Sequence, residues 1–247
     1  MGGRISYYGN IVRDGLVLNL DAGKIDSYPR TGTLWRDLSG NGNNGTLTNF
    51  NGQFWGSNDT GSILFDGTDS FVNFSDIPFR ITNYSLTLEI VFYYSGGTYT
   101  NTPLIGKRNG GAAPFNQYTI GLNNGDPYNG GTGKVLVAFL RDDNNPNSNF
   151  NDRVLTYTLP TAGIYHVMLT NASNQAQLWV NGVLRSTSTT NMASGNFNVT
   201  GYNFRIGNYY TALYWNEKIY LTRFYNKTLS NSEITQNYNA IKSRFNI

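Results

Sequence analysis

The run from Ser85 to Tyr94, SLTLEIVFYY, sets Leu86, Leu88, Ile90 and Phe92 on one side of an extended chain and Thr87, Glu89 and Tyr93 on the other. A period of two predicts a β-strand with one face on a core and the other toward water. Comparable patterns recur at GLVLNL (15–20), SILF (62–65), SFVNF (70–74), QYTIGL (117–122), KVLVAFL (134–140), VLTYTL (154–159), IYHVML (164–169), AQLWV (176–180), YNFRIG (202–207) and EKIYLTRFY (217–225). Gly, Asn and Pro clusters separate them, and no helical segments lie between them to carry the crossovers of a parallel sheet. The pattern predicts an all-β fold, a two-sheet antiparallel sandwich.

Turn chemistry refines the picture. In QLWV-NG-VLRS, Asn181-Gly182 sits between two strand patterns, and a type I′ hairpin turn needs positive φ at both central positions, which Asn and Gly tolerate. A second turn near Asn171 to Gln175 makes 164–187 a three-stranded meander containing His166. LSGNGNNGTL (38–47) lacks the Lys-Ser/Thr ending and strand-to-helix setting of a phosphate loop. It reads as a tight connection whose Asn and Gly take left-handed angles, with Trp35 and Leu38 as anchors and Leu38 and Leu47 turned inward. One helix is predicted, over about 231–244, from LSNSEITQNYNAIKSRF (229–245). Ser230 and Glu233 form a capping box, and Ile234, Tyr238, Ile241 and Phe245 make one apolar stripe for docking on the sandwich.

The chain has 247 residues, and an all-β unit of this length commonly folds as one domain, here 14–247 after an N-terminal arm, 1–13. Charged residues make up only 13% of the chain, against about 25% in a typical soluble domain, so the surface is wetted mainly by Asn, Ser, Thr, Gly and Tyr. The net charge of +3 comes from scattered Lys and Arg, which argues against nucleic acid as a partner. No apolar run approaches the ~18 residues of a membrane span, so no membrane insertion is expected. MGGRISYYGNIVRDG lacks the apolar core of a secretory signal, so synthesis in the cytoplasm without a signal peptide is expected. The absence of cysteine excludes disulfides, thiolate catalysis and Cys-type zinc sites.

Candidate chemistry is sparse. His166, the only histidine, is in phase with Ile164 and Met168 and reads as structural. The three glutamates are Glu89, Glu217 and Glu233, and no strand carries the alternate-residue carboxylate pair that glycoside hydrolysis would use, so no catalytic residues are expected. No cofactor is expected. Ca²⁺ is the one ion left open, through Asp66-Gly67-Thr68-Asp69 or Asp126 with Asp142 and Asp143, although these aspartates equally suit turn capping. GNYYTALYWNE (207–217) places Tyr209, Tyr210, Tyr214 and Trp215 in a loop entering a late strand, as the candidate ligand-binding set. Such rings stack on sugars, seat a protein partner or simply fill a core, and composition does not separate these uses.

Taken together, GLVLNLDAGKIDSYPRTGTLWRDLSGNGNNGTLTN, SILFDGTDSFVNF, SLTLEIVFYY, LWVNGVLRS, FRIGNYY and KIYLTRFYNKTLSNSEITQNYNAIKSRF resemble the laminin-G-like branch of the concanavalin A-like lectin/glucanase superfamily. They look most like the versions in tailed bacteriophage virion proteins, over about Asp14 to Phe245. The resemblance implies a jelly roll whose ligand sites, where present, lie on the concave sheet or its rim loops. The glucanase members' Glu-x-Asp-x-x-Glu strand is absent: LEIVFYY carries Glu89 alone. Tyr220 or Leu221 stands where many laminin-G-like relatives have an acidic residue, which weakens an inherited calcium site.

The resulting expectation is a non-enzymatic structural protein of a phage virion surface, as capsid decoration, head fibre or tail adhesin. Its expected partners are other virion proteins, a host glycan and further copies of itself in a homo-oligomer. Ile5, Tyr7, Tyr8 and Ile11 of the arm are the candidate partner contacts, through strand addition. The competing reading is a carbohydrate-active enzyme or a free lectin.

Overall fold

The structure, a computed structural model, describes residues 10–51, 55–56, 60–99, 102–108, 117–123, 134–141, 152–192, 197, 201–208 and 213–247. In chain order its strands are β1 (Leu16–Asp21), β2 (Leu34–Trp35), β3 (Gly45–Thr48), β4 (Trp55–Gly56), β5 (Ser62–Leu64), β6 (Phe71–Asn73), β7 (Leu86–Tyr94) and β8 (Thr102–Arg108). The later ones are β9 (Gln117–Asn123), β10 (Val135–Arg141), β11 (Arg153–Thr158), β12 (Gly163–Asn171), β13 (Ala176–Val180), β14 (Val183–Ser188), β15 (Phe204–Ile206) and β16 (Lys218–Tyr225), followed by the helix α1 (Asn231–Phe245).

Two antiparallel sheets form a concanavalin A-like jelly-roll sandwich. The first runs β14-β13-β12-β7-β16-β5-β4, with β1 also paired to β16; the second runs β11-β10-β9-β8-β15-β6-β3-β2. Their inner faces interdigitate, with Leu88, Ile90, Phe92, Val167, Leu169 and Phe224 on one side and Tyr118, Ile120, Leu136, Leu140, Phe204 and Ile206 on the other. Phe79 stacks on Phe204 at 4.2 Å between ring centroids, and Tyr118 packs against Phe204 and Phe224. Each such side chain, fully removed from water, contributes about 1.5–3 kcal/mol.

The two outer faces differ. On β10 the expected alternation holds: Leu136, Ala138 and Leu140 are buried, while Val135, Val137, Phe139 and Arg141 are only partly covered. β7 departs from its expected half-burial. Thr87 and Glu89 are as inaccessible as Leu88 and Ile90, because α1 lies across the outer face of the first sheet. Ile234 packs with Met168, Trp179, Tyr225 and Val12, while Ile241 and Phe245 pack with Val91, Tyr220 and Leu221. The capping box is present, with Ser230 Oγ accepting from Glu233 N and Glu233 Oε2 accepting from Ser230 N. The buried stripe of α1 is Ile234, Asn237, Ile241 and Phe245. Asn237 replaces the expected Tyr238, which is half-buried and stacks on the His166 ring.

The turns follow their predicted chemistry. Asn181 (φ 49°) and Gly182 (φ 73°) join β13 to β14, and Ala172 N donates to Gln175 O at the preceding turn. The 38–47 connection is organised by Asp37, whose carboxylate accepts from Asn19 N, Ser39 N, Ser39 Oγ and Asn43 N. Trp35 and Leu47 are buried there, whereas Leu38 is only half-buried. β8 was not legible as a strand: TPLIGKR breaks the period of two with Pro103 and Gly106, and its register with β9 shifts between Pro103 and Ile105.

Candidate functional site

Two polar clusters among the described residues bear most on function. The first lies between the first sheet and α1, where β7, β12 and β16 bring Glu89, His166 and Arg223 onto one face through the pairings His166↔Val91, Met168↔Glu89 and Arg223↔Glu89. Glu89 Oε1 lies 3.1 Å from His166 Nε2 and accepts from Arg223 Nη1 at 2.5 Å; Oε2 accepts from Asn237 Nδ2 at 2.8 Å. Arg223 Nε reaches Asn19 Oδ1, and Asn237 Nδ2 also donates to the Tyr225 hydroxyl. Burial penalises the Glu89 charge, but Arg223, His166 and Asn237 outweigh it and hold its carboxyl below the ordinary value. With both oxygens engaged and no exposed surface, Glu89 is placed to hold the helix to the sheet, not to meet a substrate.

The second place is the outer face of the second sheet, which α1 does not cover. On the three-residue strand β15, Phe204 and Ile206 point into the core and Arg205 points out. Pairing of β15 with β6 sets Arg205 opposite Asn73, and alternation along β6 turns Phe71 and Asn73 outward while Val72 is buried. Arg205 Nη1 donates to Asn208 Oδ1 at 3.1 Å and Nε to Asn73 Oδ1 at 3.4 Å. Its guanidinium carbon sits 4.6 Å over the Phe71 ring centroid. Asn203 Nδ2 donates to Asn73 Oδ1 at 3.0 Å. Asn208 Nδ2 reaches back to Leu213 O, which ties the returning end of the 207–217 loop beside the arginine. Partial burial pushes the Arg205 guanidinium below its ordinary value, with Tyr214 acting in the opposite sense.

Gly207 fixes where this loop leaves the strand. Its φ is +81°, and a Cβ there would stand 2.4 Å from the Phe65 ring. Its carbonyl accepts from Trp215 N at 2.8 Å, closing the base of the loop.

Of the sequence-predicted ligand residues, Tyr209 and Tyr210 lie outside the described residues, and Tyr214 is half-buried beside Arg205. Trp215 is corrected: it is fully buried, stacked on Tyr99 at 5.2 Å and edge-on to Phe92 at 5.7 Å, so its ring is core and offers no face to solvent. Of the arm residues, Ile5, Tyr7 and Tyr8 lie outside the described residues. Ile11, expected to face a partner, is 7% exposed, and the adjacent Val12 N donates to Asn237 Oδ1, so this stretch is occupied with its own domain. Asp66 Oδ1 accepts from the amides of Thr68, Asp69 and Ser70 and from Ser70 Oγ, and these bonds lower its pKa to about 2 against the opposing effect of burial. It caps its own turn, and Asp126, Asp142 and Asp143 lie outside the described residues.

Phe71, Asn73, Asn203, Arg205 and Asn208 were not singled out from sequence. The signal was present in YNFRIGN, where alternation about Phe204 and Ile206 puts Asn203 and Arg205 on one face just before the aromatic loop. The contribution of β6, some 130 positions earlier, had no local signal.

A family model described as the concanavalin A-like lectin/glucanases superfamily matches residues 66–235. Among solved structures, the chain is similar to domain 4 of an extracellular arabinanase from Geobacillus stearothermophilus, in complex with arabinotriose. The TM-score is 0.57 and the identity 17%, covering 90% of this chain and 98% of that one. It is also similar to the botulinum neurotoxin serotype D ligand-binding domain in complex with N-acetylneuraminic acid, with TM-score 0.62 and 16% identity, covering 92% of this chain and 51% of that one. A third is the Trypanosoma rangeli sialidase in complex with sialic acid, with TM-score 0.60 and 17% identity, covering 93% of this chain and 33% of that one. The chain thus spans about half the length of the toxin domains it matches. No curated protein matches it by sequence. With its sandwich, its capped C-terminal helix and a family match over 66–235, the chain belongs to the laminin G-like family of the concanavalin A-like lectin/glucanases superfamily.

Proposed function

We propose that this chain is a non-catalytic carbohydrate-binding module whose ligand lies on the outer face of the second sheet, against Arg205, Asn73, Asn203 and Tyr214, with the buried Asn208 positioning the arginine. The carrying observation is that this sheet face, left open by the helix, holds an arginine and two partly exposed side-chain amides, Asn73 and Asn203, beside a tyrosine. Amides and guanidinium bind sugar hydroxyls, and a tyrosine ring covers an apolar sugar face. Support by analogy comes from neighbours of the same fold held with arabinotriose and with N-acetylneuraminic acid. The non-catalytic part is supported by Glu89, which is sealed under α1 with both oxygens bonded.

A glycan array probed with the purified chain tests this. Specific binding that is lost on Asn73→Ala and Tyr214→Ala is the expected result; binding unaffected by both substitutions places the ligand elsewhere, and turnover of a bound polysaccharide overturns the non-catalytic part. The setting we propose, on the surface of a bacteriophage particle alongside other virion proteins, rests on the sequence resemblance. Antibody labelling of purified particles checks it, with absence of the chain from particles as the contrary outcome.

A further inference from the structure

Arg153 and Arg205 are fully and partly buried and bond to neutral oxygens, and they differ in how their donors are used. Arg153 is fully buried and spends its donors on oxygens: Nε on Thr190 O, Nη1 on Asn171 Oδ1 and Ala172 O, and Nη2 on Ser173 O. It is a staple between β11 and the turn after β12, and its complete burial keeps it from a ligand. Arg205 is built otherwise. Its Nε and Nη1 are held by the neutral oxygens of Asn73 and Asn208, its plane rests against Phe71, and its Nη2 has no hydrogen-bond partner among the described residues.

A guanidinium so placed has paid much of its ordering cost before any ligand arrives, because two amides and a ring fix its orientation. Among the described residues no carboxylate pairs with its positive charge, and partial burial makes that charge less well solvated than on an open surface. The Phe71 face is already covered by the guanidinium, and among the described residues Tyr214 is the ring beside it that is placed for stacking. The ligand feature that completes such a site is a planar two-oxygen anion meeting the fork of donors, carried on a body with an apolar face and hydroxyls for Asn203 and Asn73.

Resting on the carbohydrate-binding reading above, we propose that the glycan is acidic, a sugar bearing a carboxylate that Arg205 receives.

The test compares matched probes by calorimetric titration of the intact chain: oligogalacturonate against its methyl ester, and sialyllactose against lactose. At least one acidic probe binds, its neutral counterpart binds about tenfold or more weakly, and Arg205→Gln removes the difference. Arg205→Lys keeps the charge without the fork and retains only part of the preference, which separates recognition from a nonspecific charge effect. Thermal melts of both variants, with melting temperatures close to that of the parent, establish that they fold. Equal binding of acid and neutral forms, or a preference unchanged in a folded Arg205→Gln, overturns the acidic-ligand proposal while leaving carbohydrate binding intact. Failure of every probe and of a neutral-glycan panel overturns both.

Discussion

Asn237 of α1 donates a hydrogen bond of 2.8 Å to Oε2 of Glu89, a fully buried carboxylate in the central strand of the first sheet. The same side chain accepts from Val12 N at 2.9 Å and donates to the Tyr225 hydroxyl at 2.8 Å. One amide therefore joins the helix, the N-terminal segment and two adjacent strands. Replacing it by Ala leaves a buried carboxylate oxygen and a buried amide short of partners, and Asn237→Ala is expected to lower stability by about 2–4 kcal/mol. Urea unfolding measures this, and a loss below about 0.5 kcal/mol would show that the bonds carry no net weight.

Acid should unfold the protein through depressed carboxyls, Glu89, Asp66 and Asp76 among them. Burial opposes ionisation of Glu89, Asp66 and Asp76, but in each case bonded partners win: Arg223 for Glu89, backbone amides and Ser70 for Asp66, and Arg80 with Lys107 for Asp76. Asp66 and Asp76 are lowered from 3.8 to about 2 and Glu89 is lowered from 4.5. Because the unfolded chain takes up protons first, these groups' contribution is complete above the unfolded values and disappears as pH falls through the folded ones. Melting temperature should therefore drop between about pH 4 and pH 2, and Asp66→Asn should blunt that drop. A melting temperature constant across the window would refute the linkage.

Adjacent aromatics on the late loop should behave oppositely. Trp215 lies against Tyr99 and Phe92 in the core, so Trp215→Ala is expected to cost about 3–5 kcal/mol, whatever its effect on ligand. Tyr214 is half-buried beside Arg205, so Tyr214→Ala should cost about 1 kcal/mol or less of stability and weaken glycan binding. Paired melts and titrations on the two variants check both halves, and a destabilised Tyr214→Ala with unchanged binding would assign Tyr214 to packing.

The 38–47 connection should depend on Asp37 more than on its glycines. Four donors converge on that carboxylate, among them Asn19 N from β1, so Asp37→Ala is expected to destabilise by about 2–4 kcal/mol. Asp37→Asn keeps only part of the acceptor capacity and should fall between. Chemical unfolding of the pair checks the order.

What local pattern can express was legible. The alternation of β10 and β13, the Asn181-Gly182 turn and the Ser230-Glu233 cap each depend on neighbours within a few positions, so the chain announces them. β8 escaped because Pro103 and Gly106 obscure its period. Trp215 was misplaced for a different reason: its segment is irregular, and only packing against Tyr99 and Phe92 decides that the ring turns inward.

By itself, the sequence determined the all-β class, the meander, the helix and the lack of a paired-acid strand, because periodicity and capping are short-range properties of the chain. The tertiary structure alone decided that Glu89, His166, Arg223 and Asn237 share one sealed cluster, and that Asn73 and Phe71 stand beside Arg205. Those contacts join segments 77 to 148 residues apart, and sheet register, which brings them together, leaves no mark on either segment alone.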